Sequence, residues 1–144
     1  DMPPGTGDIA LSLSQYLPRA EVLVVTTPQE AAQKVARLSA AMAVKVNLPV
    51  RGIIENMSWF IGEDKQRYEL FGSGGGQLLA DELKVPLLAQ IPLVEMLREG
   101  GDTGKPIAAV APESEVGLIF AQLAKRIAED MKPKKVFSAA LKVN

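Results

Sequence analysis

Apolar residues arrive along this chain in two rhythms. Three short runs are apolar almost throughout: EVLVVTT (21–27), VRGIIEN (50–56) and PLLAQIP (86–92). EVLVVTT, rich in β-branched residues and ended by Pro28, predicts a strand buried on both faces, and the other two runs predict the next strands. Between and around them the spacing becomes helical. Ile9, Leu13, Tyr16 and Leu17 predict a first helix with Asp8 at its N-cap. Ala31, Val35, Leu38, Met42 and Val46 step by four, three, four and four, which predicts a second helix with that set as its buried face. Leu79 and Leu83 mark a third helix, and LVEMLREG a short fourth ending at Gly100 and Gly101. A last long helix is predicted over 113–131, with Val116, Ile119, Phe120, Leu123 and Ile127 on one side. Glu113 and Glu115 stand near its positive end and Lys125 and Arg126 near its negative end, as the helix dipole favours. Strands recurring about every 30–35 residues with helices between them form βαβ units, so the sheet is expected to be parallel with right-handed crossovers.

One segment breaks the alternation. SWFIGEDKQRYELF (58–71) holds two short aromatic runs around a charged turn and reads as an inserted hairpin. GSGGG (72–76) follows. Clustered glycines form either an anion-binding nest or a turn that admits the next helix, and both readings fit here.

Composition narrows the chemistry. With 144 residues, 47% hydrophobic and 23% charged, the chain is expected to make at most one domain, with ample material for a core. A net charge of −1 gives no electrostatic pull toward nucleic acid or an anionic membrane. Lys132, Lys134 and Lys135 read as a solvated end. There is no cysteine and no histidine. Disulfides, thiolate or imidazole metal sites and His- or Cys-dependent catalysis are therefore excluded from this chain, and any metal it holds is a hard ion on oxygen ligands, such as Mg²⁺. No apolar run reaches membrane-spanning length and no signal peptide opens the sequence, so the expected location is cytoplasmic.

The first residues, DMPPGTGD, carry the most specific chemistry. Asp1 would close a strand whose body lies upstream. Pro3 and Pro4 stiffen the exit, and Gly5 and Gly7 let backbone approach a ligand closely. The helix that follows offers free N–H groups suited to phosphate. An acid at a strand end beside a glycine loop is the arrangement that holds Mg²⁺ and senses a γ-phosphate. The plainer reading is a Pro/Gly turn capping a helix.

DMPPGTGD resembles the acidic switch motif of the MinD/ParA-like P-loop ATPases, and most closely that of the Mrp-type branch, the iron–sulfur cluster carrier ATPases. The likeness continues through VTTPQEAA, KVNLPVRGIIENMSWF, FGSGGGQLLADELKVPLLAQIPL and REGGDTGKPI, in order and spacing. It covers residues 1–131 and leaves 132–144 as a basic and apolar tail. The resemblance implies an α/β fold, a three-layer αβα parallel sheet of the P-loop NTPase kind, incomplete in this chain. It implies that Asp1 acts on the Mg²⁺ shell and the attacking water, and that Gly5 lies near the γ-phosphate. It implies that Asn56 hydrogen-bonds the adenine edge and that Ile91, Pro92 and Leu93 form a backbone wall against the base. A carboxamide does offer both the donor and the acceptor that adenine needs; a turn-capping asparagine is the simpler role.

Two departures qualify the resemblance. The phosphate loop G-x-x-x-x-G-K-[ST] is absent, since GSGGG is followed by Gln77 and Leu78. The chain is therefore expected to be the C-terminal part of a longer protein that binds and hydrolyses ATP with Mg²⁺, and to be inactive alone. Carriers of this family also place C-x-x-C in the hairpin, one pair from each subunit bridging a cluster across a homodimer. Here that slot reads IGEDKQ, whose Glu63 and Asp64 are hard oxygen donors. That argues against cluster carriage in the family's usual manner. The functional expectation is an ATP-dependent iron–sulfur cluster carrier or assembly protein that serves iron–sulfur clients. The alternative is a MinD/ParA-like switch in which nucleotide controls dimerisation and no cluster is carried. In either case the aromatic residues Trp59, Phe60, Tyr68 and Phe71 could supply a dimer contact or pack on their own domain.

Overall fold

The computed structural model describes residues 8–131. Asp1 and Gly5, and the tail from Lys132, lie outside the described residues. In chain order the elements are α1 (Asp8–Tyr16), β1 (Val22–Thr26), α2 (Glu30–Lys45), β2 (Val50–Asn56), β3 (Phe60–Ile61), β4 (Arg67–Tyr68), α3 (Gly75–Leu83), β5 (Leu87–Ile91), α4 (Glu95–Thr103), α5 (Ile107–Val110) and α6 (Glu115–Asp130). The three apolar runs form a parallel sheet in the order β1-β2-β5, and β3 pairs antiparallel with β4 in the hairpin. Both features follow the hydrophobic pattern.

Helices cover the sheet on both sides. On one face α2 and α3 pack Ala36, Ala40, Leu79 and Ala80 against Val24 and Ile53. On the other, α5 and α6 bring Ile107, Val116 and Leu123 onto Ile54, Leu88 and Ile91. Ile53 and Leu79 are fully buried, each contributing about 1.5–3 kcal/mol of burial. Ser114 caps α6, its hydroxyl accepting from the Gly117 amide at 3.1 Å.

Three expectations need correction. The buried face of α2 is Gln33, Ala36, Ala40 and Ala43. Val46, just beyond the helix, is buried as expected, but Val35 and Leu38 are 65% and 72% exposed. Small residues let the helix lie close on the sheet, so the bulkier apolar stripe is turned away from it. The fourth helix runs through Gly100 and Gly101 and stops at Gly104, where φ is 67°. The turn of α5 that follows was not expected at all.

Apolar surface is left uncovered in several places. Arg37 of α2 donates two hydrogen bonds of 2.7 Å to Glu82 of α3. At 100° per residue, Ala31, Val35, Leu38 and Met42 centre about 150° from the buried face of α2, so the stripe points largely away from the sheet. On the other face of the sheet Val25 is 58% exposed. Among the described residues β1 has one strand partner, β2. The far edge differs: Arg126 of α6 donates to the carbonyls of Leu88 (2.5 Å) and Leu87 (3.4 Å) on β5. The first helix also exposes Ile9, Leu11 and Tyr16.

Candidate functional site: a rim at the carboxyl ends of the strands

All three parallel strands end on the same rim. In parallel α/β sheets ligands bind beyond the carboxyl ends of the strands. In register, Thr26 stands beside Glu55, Glu55 beside Gln90, and Asn56 beside Ile91. Of the residues singled out in the sequence, the fold therefore brings Asn56, Ile91, Pro92 and Leu93 together. Asn56 is partly exposed, its Oδ1 accepting from the Met57 amide at 2.9 Å. That is the turn-capping role; its Nδ2 has no partner among the described residues and remains free to donate. Ile91 and Pro92 are buried and Leu93 is half-buried. The Ile91 carbonyl accepts from the Ser58 amide (3.0 Å), and the Leu93 amide donates to the Trp59 carbonyl (2.7 Å). The backbone of 91–93 is thus bonded to the root of the hairpin, hereafter the arm.

Sequence reasoning passed over the residue at the centre of this rim. Glu55 is 1% exposed. One carboxylate oxygen accepts from the Gly76 amide at 2.5 Å, and the other from Gln90 Nε2 at 2.8 Å. Both side-chain oxygens are thus hydrogen-bonded, as a buried polar group requires. The legible signal was an acid directly after the apolar pair Ile53–Ile54 near the end of a strand. The glycine run is shaped around it. Gly72 and Gly74 have φ of 81° and 75°, and Gly74 opens α3. Gly75 leaves no room for a side chain beside Pro28 and Gln33, whose Nε2 donates to the Pro28 carbonyl at 2.7 Å. A Cβ on Gly76 would stand 2.8 Å from Glu55 Cβ. The turn is therefore a tightly packed joint.

The arm is braced by its own side chains. At its tip Asp64 accepts from the Gln66 amide (3.0 Å) and from the Tyr68 hydroxyl (2.6 Å). The Tyr68 hydrogen bond, with the Gln66 amide, holds the Asp64 carboxyl below its ordinary range, and the same bond raises the Tyr68 phenol. The Arg67 guanidinium lies 4.3 Å from the centre of the Trp59 ring. Phe60, Ile61, Tyr68 and Leu70 remain exposed. Among the described residues no group of three or more Asp or Glu could hold a metal ion, and no helix is long and apolar enough to cross a membrane.

Comparison with known proteins bears on this geometry. The family model described as ParA, the NUBPL iron-transfer P-loop NTPase, matches residues 1–128. An iron–sulfur cluster carrier protein of Synechocystis sp. is 48% identical over 130 residues, covering 89% of this chain and 37% of that protein. One from Pseudomonas fragi is 48% identical over 125 residues, covering 86% and 44%. The chain thus spans about two fifths of the length of these relatives. Among solved structures, a nucleotide-binding protein from Archaeoglobus fulgidus in complex with ADP is 30% identical with a TM-score of 0.63, covering 83% of this chain and 48% of that one. The septum site-determining protein MinD of Pyrococcus horikoshii, complexed with Mg-ADP, is 25% identical with a TM-score of 0.62, covering 78% and 42%.

Proposed function

Because the chain belongs to the NUBPL iron-transfer P-loop NTPase family of ParA-like proteins, we propose that it is the adenine-side part of an ATP-binding and ATP-hydrolysing iron–sulfur carrier or assembly protein. The observation that carries this reading is the pairing of Asn56 with Ile91 on adjacent strand ends, with the Asn56 amide nitrogen free at the rim. Asn56 Nδ2 donates to an adenine ring nitrogen, and the backbone of Ile91, Pro92 and Leu93 lies against the base. Asp1 is assigned the Mg²⁺ shell and the attacking water, and Gly5 the γ-phosphate. Mg²⁺, when bound, neutralises charge on the β- and γ-phosphates. The phosphate loop is assigned to a part of the longer relatives that this chain, spanning about two fifths of their length, does not cover.

The open apolar surface supports such a segment. Val25 is 58% exposed on β1, whose one strand partner among the described residues is β2, while Arg126 donates to two carbonyls of β5. A further strand at β1, with a helix on that face, would bury Val25. The protein is taken to act as a homodimer in the cytoplasm, with iron–sulfur proteins as clients.

The test is calorimetry with Mg²⁺–ATP. Binding is expected for the protein that carries a phosphate loop upstream of Asp1 and not for residues 1–144 alone. Micromolar binding by residues 1–144 would defeat the assignment of the phosphate site to an upstream segment. Loss of binding in the longer protein on Asn56→Ala, by about tenfold or more for a direct base contact, would support the adenine site, and unchanged affinity would refute it.

A second reading, a nucleotide-dependent dimerisation switch without cargo, is favoured by the arm. Its slot holds no thiolate, and Asp64 there is engaged by Gln66 and Tyr68. Iron and sulfide analysis after anaerobic reconstitution separates the two: a stoichiometric cluster supports the carrier, and none supports the switch.

A further inference from the structure

We propose that Glu55 is a positioning residue that makes the arm and the strand-end rim one mechanical unit, so that a nucleotide base seated at the rim is felt at the arm. This rests on the nucleotide reading above and adds to it a route from site to surface. The arm leaves the sheet at Ser58 and returns to it at Gly76, so it has two roots. The outgoing root is bonded to the proposed base wall by Ser58 N–H to Ile91 and Leu93 N–H to Trp59. The Ser58 hydroxyl also donates to the Glu55 carbonyl at 3.0 Å. The returning root is bonded to the Glu55 carboxylate through the Gly76 amide, and the second carboxylate oxygen holds Gln90 of β5. One buried residue therefore joins both roots, the outgoing one through its backbone carbonyl and the returning one through its carboxylate, and holds the neighbouring strand as well.

Nothing in this joint is slack. Glu55 and Ser58 are 1% and 3% exposed, and a side chain on either Gly75 or Gly76 would meet neighbouring atoms. Packed interiors transmit small displacements because they have no free volume to absorb them. A base pressing on 91–93 thus moves 58–59, and the carboxylate carries the returning root along. Beyond the roots the arm is braced by Arg67 over Trp59 and by Asp64 with Tyr68, so it responds as a piece. The choice of residue is explained by the donors. Gly76 N–H and Gln90 Nε2–H converge on two oxygens, where glutamine offers one oxygen and one competing donor, and aspartate is a methylene too short to keep both.

The test is hydrogen exchange by mass spectrometry, with and without Mg²⁺–ADP, on the protein carrying its phosphate-loop segment, alongside calorimetry of ADP binding. In the parent protein ADP is expected to slow exchange about fivefold or more in peptides covering 57–71 and 72–83 as well as 87–93. In Glu55→Gln, ADP affinity is expected to stay within about threefold, protection of 87–93 and of the directly bonded 57–59 to persist, and protection of 60–83, which the carboxylate reaches through Gly76, to be lost. Gln90→Met, which leaves the Gly76 bond in place, is expected to weaken arm protection about twofold or more and serves if Glu55→Gln fails to fold. ADP that binds the parent while leaving 57–71 unchanged overturns the role of Glu55 alone, as does full arm protection in either variant. No ADP binding by the parent overturns the nucleotide reading, and this inference with it.

Discussion

Replacing Gly76 by alanine sets two rules against each other. Gly76 lies in the first turn of α3, where helix propensity alone makes alanine better by about 0.5–1 kcal/mol. Packing says the opposite. The new Cβ would stand 2.8 Å from both Cβ and Oε2 of Glu55 and 3.2 Å from its Cδ. Glu55 is buried and bonded on both oxygens, so it cannot swing aside. Overpacking a filled interior costs about 1–3 kcal/mol. Pulling the Gly76 amide from the carboxylate costs about 1.5–3 kcal/mol more. The net expectation is a loss of about 1.5–5.5 kcal/mol, or a fall in Tm of roughly 5–20 °C for a chain of this size. Gly101→Ala is the internal control: it lies inside α4 with no atom near its added Cβ, and is expected to stabilise by about 0.5–1 kcal/mol. Urea denaturation followed by emission of Trp59, the sole tryptophan of this sequence, reads both. A neutral or stabilising Gly76→Ala would refute the packed joint, since it would mean that Glu55 yields freely.

Other consequences are as direct. Leu79→Ala, at a fully buried position between α3 and the sheet, is expected to cost about 2–5 kcal/mol in the same assay. The tip of the arm should hold best between the acid and alkaline limbs set by its hydrogen bond. Asp64 is lowered from 3.8, so its contribution is present above that value and lost as pH falls through the folded value. Tyr68 is raised from 10.0, so its contribution is present below pH 10 and lost as pH climbs through the folded value. Exchange of the Gln66 amide against pH should show both limbs, and Asp64→Asn should abolish the acid one. Val25→Lys, at an exposed position of β1, should change the stability of residues 1–144 by less than about 0.5 kcal/mol. In the longer protein that carries the phosphate loop it should cost about 2 kcal/mol or more, as a charge buried without a partner does; equal neutrality there would refute burial of Val25.

What the sequence determined by itself is the alternation. Three short apolar runs at regular spacing with helices between them point to a parallel sheet, and the aromatic insertion between two of them is a hairpin because its apolar residues flank a charged turn. Asn56 and Ile91–Leu93 could be placed on a common rim for the same reason: strand ends in a parallel sheet coincide. Which side of a helix is buried was decided only by tertiary structure. In α2 the bulky stripe of Val35 and Leu38 gave the stronger periodic signal, yet Ala36, Ala40 and Ala43 let the helix lie closer to the sheet. The Glu55 joint was hidden for a related reason. Its three partners, Gly76, Gln90 and Ser58, stand up to 35 residues away, and an acid following an apolar pair reveals its partners only when the chain has folded them around it.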